Sequence, residues 1–479
     1  MTELLRSYVD GAWRDGVRTA ARTDPAHPST VVAEVSLADS ALATAAVLAA
    51  RKAFASWRAT PAPARGEILR RAADLMEHQA ENIGRDLTRE EGKTIGEAIG
   101  ETRRAVAILR YYAGQTLEPD GDTYPSATRD FLLYTKREPL GVVVAITPWN
   151  FPIAIPAWKV APALAFGNAV VWKPAELVPL TAVHFVQALI DAGLPAGVLN
   201  LVLGSGADVG NVLVTHPDVD AITFTGSNAV GHAIQGAAIA AGKRVQLEMG
   251  GKNPAVVLAD ADLDHAAEQI ARGAFLSAGQ KCTATSRVIV ERSATAGLVE
   301  RLAERARSWK LGDPLAPETI VGPLVSDERL RKVLGYLDVA KADGGRLVAG
   351  GGRADGEGHF VRPTVFTDVP ARSRASREEI FGPVALVVPA ASGAEALAIA
   401  NDTPFGLVAS VFTRDLGAAL AFARELRAGV VKINQETAGL ELQLPFGGVK
   451  DSSSGSREQG KAAREFFTEW KTIYMGPPG

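Results

Sequence analysis

Long apolar runs without polar alternation organise the middle of the chain. "GVVVAIT" (141–147) reads as a strand buried on both faces. "NAVVWKP" (168–174), "LNLVLG" (199–204), "AITFTG" (221–226) and "RVQLEMG" (244–250) continue the series. Helical patterns separate them: "PIAIPAWKVAPALAFG" (152–167), ended by Gly167, and "LTAVHFVQALIDAG" (180–193), stopped at Gly193. The alternation restarts after 250. "NPAVVLA" (253–259) and "SRVIVE" (286–291) flank a helix over 262–279, with Asp262 or Asp264 as its cap. "ALVVPA" (385–390), "LVASVFT" (407–413) and "GVVKIN" (429–434) follow as strands. Strands alternating with helices predict parallel βαβ units in two successive α/β domains, with "GGKNP" (250–254) as the hinge. The residues up to 115 are expected to be mostly helical, over 40–57, 63–84 and 97–115, and no short internal repeat is present.

Two segments fit neither core. "RDFLLYTKREP" (129–139) and the tail "REFFTEWKTIYMG" (464–476) have strand patterns and are expected to pair outside the domains. An exposed strand edge is a liability, so a partner chain is expected to cover them. The uncharged stretch 139–158 is long enough to span a bilayer, but Pro148, Pro152 and Pro156 with Asn150 would break a lipid-facing helix. A strand, a turn and a buried helix explain it better. Glu3, Arg6 and Asp10 interrupt any signal-peptide core at the N-terminus.

Composition adds little beyond a soluble globular class: 479 residues, 47% hydrophobic, 22% charged, net charge −3. Neither nucleic acid nor a membrane is called for. The single cysteine changes more. It excludes an internal disulfide and a cysteine-based metal site, and points to a reducing, cytoplasmic location.

That cysteine, Cys282, lies in "GQKCTATSR" before a strand, among Gln280, Lys281, Thr283 and Thr285. A lone thiol is usually a small buried hydrophobe. These polar neighbours make a poor core, whereas a reactive thiol needs partial access and positive potential. The seven histidines show no signature of a cysteine–histidine pair. Glu248 follows the apolar "VQL" and precedes two glycines, so it is either a strand-end carboxylate facing a cleft or a surface charge. Asn150 in "TPWNFP" follows a strand, at the end where open α/β sheets bind ligands, and is otherwise a turn residue. No Gly-x-Gly-x-x-Gly occurs; "GSGADVG" (204–210) and "FTGSNAVG" (224–231) are the strand–turn–helix segments able to face a phosphate.

The ordered set "TPWNFP", "WKPAE", "FTGS", "LEMGGKNP", "GQKC", "EEIFGP" and "PFGGVKDSS", between 147 and 454, resembles the NAD(P)-dependent aldehyde dehydrogenase superfamily. The resemblance covers nearly the whole chain. It implies a Rossmann-type cofactor domain (1–119 and 140–250), an α/β catalytic domain (251–455) and a small β oligomerisation arm (120–139 and 464–479) of a homodimer or homotetramer. Cys282 is then the nucleophile, forming a thiohemiacetal and then a thioester. Asn150 and the Cys282 backbone N–H hold the oxyanion, and Glu248 activates the hydrolytic water. Lys159 and Glu458 match polar groups around the site, Glu458 as a proton relay. For the cofactor, Lys173 and Glu176 match adenosine-ribose contacts and Ser227 a pyrophosphate contact. Trp149 and Val230 match walls near the dinucleotide, and Glu379 and Phe381 the nicotinamide ribose and ring. Ile146, Thr147, Pro148, Ala175, Gly206, Gly210, Phe224, Thr225 and Gly226 complete the cofactor set. Glu176 favours NAD+ over NADP+ by repelling a 2′-phosphate, without excluding NADP+. No metal is implied.

Within the superfamily, the arginines of succinate-semialdehyde enzymes are replaced here by Trp158 and Leu276. The segment 431–460 and "PWNFPIAIPAWK" instead resemble the 2,5-dioxopentanoate (α-ketoglutarate semialdehyde) dehydrogenase branch. Arg104 is the candidate cation for a distal carboxylate, unless Arg103, Arg104 and Arg110 form a solvated helix face. Trp158, Gln280, Thr283, Gln435 and Gln443 are the other substrate candidates. Succinate or glutarate semialdehyde, or a broad range of aldehydes, remain as alternatives. So do release of the thioester to coenzyme A, which Glu248 disfavours, and a non-catalytic binding role on the same scaffold.

Overall fold

The computed structural model describes residues 4–478. The central apolar runs are strands with both faces buried. In Val142–Ile146, Val143 and Ala145 enter one hydrophobic cluster, while Val142 and Val144 enter a second on the opposite side. Ala169–Lys173 repeats this, with Val170 and Trp172 on one side and Ala169 and Val171 on the other. A strand covered on both faces has no solvent side for polar residues, hence the unbroken runs.

Arg244–Glu248, Ala221–Thr225, Val142–Ile146, Ala169–Lys173 and Leu199–Leu201 lie side by side in that order, all parallel. The earliest of these in sequence sits in the middle. The winding therefore reverses between Val142–Ile146 and Ala221–Thr225, and such a switch point opens a crevice at the carboxyl ends of the two strands. Here those ends are Thr147 and Gly226. Antiparallel strands Ser453–Ser454 on one edge and Ser7–Val9 with Ala12–Arg14 on the other complete an eight-stranded sheet.

Gly250 and Gly251 carry the chain from Arg244–Glu248 into Asn253–Val257, the first strand in sequence of a seven-stranded sheet. Its order is Arg346–Ala349, Thr364–Thr367, Val384–Ala390, Thr285–Glu291, Asn253–Val257, Val408–Phe412, Val430–Ile433, parallel except for the first pair. The segment 139–158 is strand, turn and the start of a helix, Ala154–Ala165, buried all round. Among the described residues no helix is long and apolar enough to cross a membrane.

The N-terminal expectation fails before residue 40. Among the described residues, five strands, from Leu4–Leu5 to Val31–Leu37, precede the first helix. Ser7–Val9 and Ala12–Arg14 are three residues each, too short to display a period. They pair with each other as a hairpin, but what joins them to the sheet comes from far away: Tyr8 opposes Leu201. The helix expected over 63–84 is two, Ala62–His78 and Ala80–Glu91, broken at Gln79. The helix expected over 262–279 is capped by Asp262, not Asp264, and stops at Phe275. The tail begins as a short helix, Ala463–Phe467, before the strand Thr468–Met475. That strand pairs antiparallel with Leu132–Pro139 in a register from Thr468↔Pro139 to Met475↔Leu132, so the two outlying segments cover each other on one edge.

Candidate active site

The early stop at Phe275 makes the cysteine loop. Ser277 and Ala278 adopt left-handed conformations (φ 55° and 50°), followed by Gly279 at φ 67°. A Cβ on Gly279 would lie 2.2 Å from the Gly382 carbonyl oxygen, so only glycine fits there. Glu97 holds the turn. Its Oε1 accepts from Ser277 N (2.8 Å) and Ser277 Oγ (3.0 Å), while its Oε2 accepts from Thr94 at the start of the Ile95–Gln115 helix. Beyond the turn, Asn150 Nδ2 donates to the Gln280 carbonyl at 3.0 Å, and Asn253 Nδ2 to the Cys282 carbonyl at 2.8 Å. The loop is thus pinned from both sheets.

Cys282 is half-buried and lines a cavity of about 310 Å³ with Lys93, Arg104, Phe151, Trp158, Thr283 and Phe446 among its walls. Burial pushes its thiol up to about 12, reinforced by the carboxylates of Glu379 and Glu248 and partly opposed by the backbone N–H groups of Thr283 and Cys282. The positive potential expected from Lys281 is not what the sulfur meets, because Lys281 Nζ turns to the Arg272 carbonyl (3.1 Å). The resting thiol is therefore protonated and needs a base.

Glu248 is the last residue of its strand, but it is buried and is not among the residues lining the Cys282 cavity. Ser453 Oγ donates to its Oε2 at 2.5 Å, and its Oε1 has no partner. Gly447 makes room for it, since a Cβ there would lie 2.6 Å from Oε1. Burial, then the charge of Glu458, raise the Glu248 carboxyl well above the usual carboxylate range. Behind it, Lys159 pairs with Glu458 and donates to Thr223 Oγ1 (2.8 Å), both members of the pair being almost fully buried. Trp158 Nε1 donates to Glu458 Oε2 at 2.8 Å, leaving the Trp158 ring on the cavity wall.

Lys93 orders the other side. Its ammonium forms a buried pair with Glu101 (2.6 Å), donates to the Asn150 carbonyl (2.7 Å) and sits over the Phe151 ring (4.0 Å). Glu101 Oε1 accepts from the N–H groups of Ile153 and Ala154 at the entry to the Ala154–Ala165 helix. Asn150 is thereby held through both its backbone and its side chain.

At the switch point lies a groove of about 900 Å³. Ile146, Thr147, Pro148, Trp149, Lys173, Ala175, Glu176, Gly206, Gly210, Phe224, Thr225, Gly226, Ser227 and Val230 all line it. Glu176 Oε1 accepts from Gly206 N (3.2 Å), and buried Lys173 reaches the Pro174 carbonyl (3.1 Å), its ammonium lowered by burial against the pull of Glu176. Ser227 is the N-cap of Asn228–Ala240, but its hydroxyl makes no capping bond. Trp149 meets Phe381 edge to face at 5.4 Å. Glu379 Oε1 accepts from Gly251 N (2.9 Å), and burial raises its carboxyl.

Three substrate candidates do not line the cavity. Gln280 spends its amide internally, Oε1 accepting from Val325 N at 3.0 Å. Gln435 and Gln443 are exposed on the loop that follows Val430–Ile433. Their amides looked available because loop residues near a motif carry no sign of which way they face. Conversely, Lys93, Glu97, Glu101, Asn253 and Ser453 were missed. "EGKT" (91–94) reads as a solvated turn between helices, and nothing local marks Lys93 as buried.

A profile of the aldehyde dehydrogenase family matches residues 13–473. The chain belongs to that family. It is 48% identical over 480 residues to the α-ketoglutaric semialdehyde dehydrogenase of Bacillus subtilis, covering 98% of both chains. It is 41% identical to the 2,5-dioxopentanoate dehydrogenase of Saccharolobus solfataricus, covering 95% of each. The crystal structure of betaine aldehyde dehydrogenase from Staphylococcus aureus in complex with NAD+ superposes with a TM-score of 0.95 at 36% identity, over 98% of this chain and 95% of that one. As an aldehyde dehydrogenase family member the chain has the mixed α/β architecture that its motifs implied.

Proposed function

We propose that this aldehyde dehydrogenase family member oxidises a short oxo-acid semialdehyde, 2,5-dioxopentanoate above all, to the dicarboxylate with NAD+ or NADP+. The observation that carries the substrate class is Arg104. Its guanidinium lines the same cavity as Cys282 and is half-buried. Its single hydrogen bond among the described residues is a long one, 3.5 Å to Gln459 Oε1. The other cavity cations are committed, Lys93 to Glu101 and Lys281 to the Arg272 carbonyl. An aldehyde at the sulfur leaves its distal carboxylate a charged, bidentate-capable partner on the wall. The names of the Bacillus and Saccharolobus relatives agree with that chemistry.

The chain's residues divide the work. The Cys282 thiol passes its proton to water in the cavity as its sulfur attacks the carbonyl carbon, and the S–C bond forms as the carbonyl oxygen gains charge. Asn150 Nδ2 and the Cys282 N–H are the donors for that oxygen. Lys173 and Glu176 suit ribose hydroxyls, Ser227 and the first turn behind it suit phosphate, and Trp149, Phe381 and Glu379 suit the nicotinamide end. The dinucleotide, when bound, supplies the acceptor for the hydride lost from the carbonyl carbon. The thioester left on Cys282 is hydrolysed by water deprotonated by Glu248, whose carboxylate turns from Ser453 to reach it. The Lys159–Glu458 pair behind Glu248 takes the proton onward.

NAD(P)H absorbance over semialdehydes of three to six carbons tests this. Arg104→Met is expected to raise KM for 2,5-dioxopentanoate by about 10–100-fold, the cost of a charged hydrogen bond, with pentanal unaffected. Equal effects on both aldehydes would remove Arg104 from substrate recognition.

The assembly we favour is a homodimer or homotetramer in the cytoplasm, where a partly accessible thiol stays reduced. Thr468–Met475 has a free outer edge carrying exposed Trp470, Tyr474 and Met475. Sedimentation is expected to give a dimer or tetramer, and Trp470→Glu with Tyr474→Glu a smaller species. A monomeric parent chain contradicts this.

A further inference from the structure

The strongest unexplained feature near the cavity is Gln459, and its meaning rests on the reading of Arg104 just given. Gln459 follows Glu458 directly and is 1% exposed. Its backbone has φ 60° and ψ 170°, a region glycine occupies and residues with a Cβ avoid. The surroundings force it there. Phe446 and Glu458 exchange backbone hydrogen bonds at 2.7 Å on one side, and Gly460 N donates to the Leu442 carbonyl at 3.0 Å on the other. The side-chain amide is equally anomalous. Its Oε1 faces the Arg104 guanidinium, while its Nε2 is buried with no acceptor.

Neither packing nor hydrogen-bond satisfaction calls for this residue. Glycine would relieve the backbone, and methionine would fill the space without an unpaired donor. What glutamine alone supplies is a neutral acceptor aimed at Arg104. A glutamate would pair with the guanidinium and cancel it. Glu441 already acts on Arg104 by its charge but makes no ion pair with it.

We infer that Gln459 is a positioning residue for substrate selection: its Oε1 holds one Arg104 N–H without neutralising the charge, leaving the other donors for the distal carboxylate of an acidic aldehyde. Gln459 touches neither substrate nor sulfur. It acts through Arg104, so it governs KM for acids and not the chemistry at Cys282.

Gln459→Gly, Gln459→Glu and Arg104→Met, each assayed with 2,5-dioxopentanoate and with pentanal, test the inference. Gln459→Gly is expected to fold, because its backbone conformation is native to glycine. Its KM for the acid rises about threefold, the scale of one long, weak hydrogen bond, while kcat and the pentanal parameters stay at parent values. Gln459→Glu approaches Arg104→Met in the acid-to-neutral ratio of kcat/KM. If both Gln459 variants keep the parent ratio while Arg104→Met changes it, the role of Gln459 is refuted and Arg104 stands. Loss of kcat on both aldehydes alike would also refute it, placing the residue with Glu458 instead. An unchanged ratio in Arg104→Met as well overturns the underlying reading.

Discussion

Cys282→Ala is expected to lose aldehyde oxidation by roughly 10⁴-fold or more, the scale on which enzymes lose a covalent nucleophile. NAD+ or NADP+ titration of the same variant is expected to give the parent dissociation constant. The two readouts separate because the residues lie in different cavities. The thiol lines the cavity of about 310 Å³, and the dinucleotide candidates from Ile146 to Val230 line the groove at the switch point. Cys282 lies on a loop already held by Glu97, Asn150 and Asn253 through main-chain atoms and the Ser277 hydroxyl, so removing its sulfur leaves every one of those bonds in place. Since Cys282 is the single cysteine, no second thiol substitutes for it. Turnover by the alanine variant at even a tenth of the parent rate contradicts the covalent route.

Glu248→Gln carries the second large effect. A positioned general base contributes about 10²–10⁴-fold, and the loss is expected in thioester hydrolysis, with a burst of NAD(P)H followed by a slow steady state. The pH profile gives an independent check. Burial and Glu458 raise the Glu248 carboxyl, so it releases its proton only above the usual carboxylate range. The Cys282 thiol, pushed up to about 12, is protonated throughout that range. In the parent, kcat is expected to climb with pH as Glu248 deprotonates, and in Glu248→Gln that limb is expected to disappear while the burst of NAD(P)H remains. A profile that keeps its limb in the glutamine variant assigns the base elsewhere.

The parts of this molecule that were legible in sequence are those whose cause is local. Val142–Ile146 declares itself because burial on two faces removes polar residues from the string itself. Gly167 and Gly193 end helices because both take positive φ (93° and 90°). Ser227 could be placed at a helix start from strand, turn and helix patterns alone. Ser7–Val9 could not, because it is three residues long and joins the sheet through Leu201, nearly two hundred residues on. The site divides along the same line. Cys282, Glu248 and Asn150 stand out by chemistry against their neighbours. Lys93, Glu97 and Glu101 look like ordinary surface charges, and only their burial against the 150–154 and 277 segments gives them work. The side-chain directions of Gln280 and Gln435 depend on contacts such as Val325 N to Gln280, which no local pattern encodes.

Chemical quench of Glu248→Gln during turnover of 2,5-dioxopentanoate with NAD+, followed by peptide mass analysis, tests the central claim most directly. The account predicts that the peptide containing Cys282 carries the added mass of the acyl group, in a bond labile to hydroxylamine. An unmodified Cys282 peptide while NADH accumulates would contradict it.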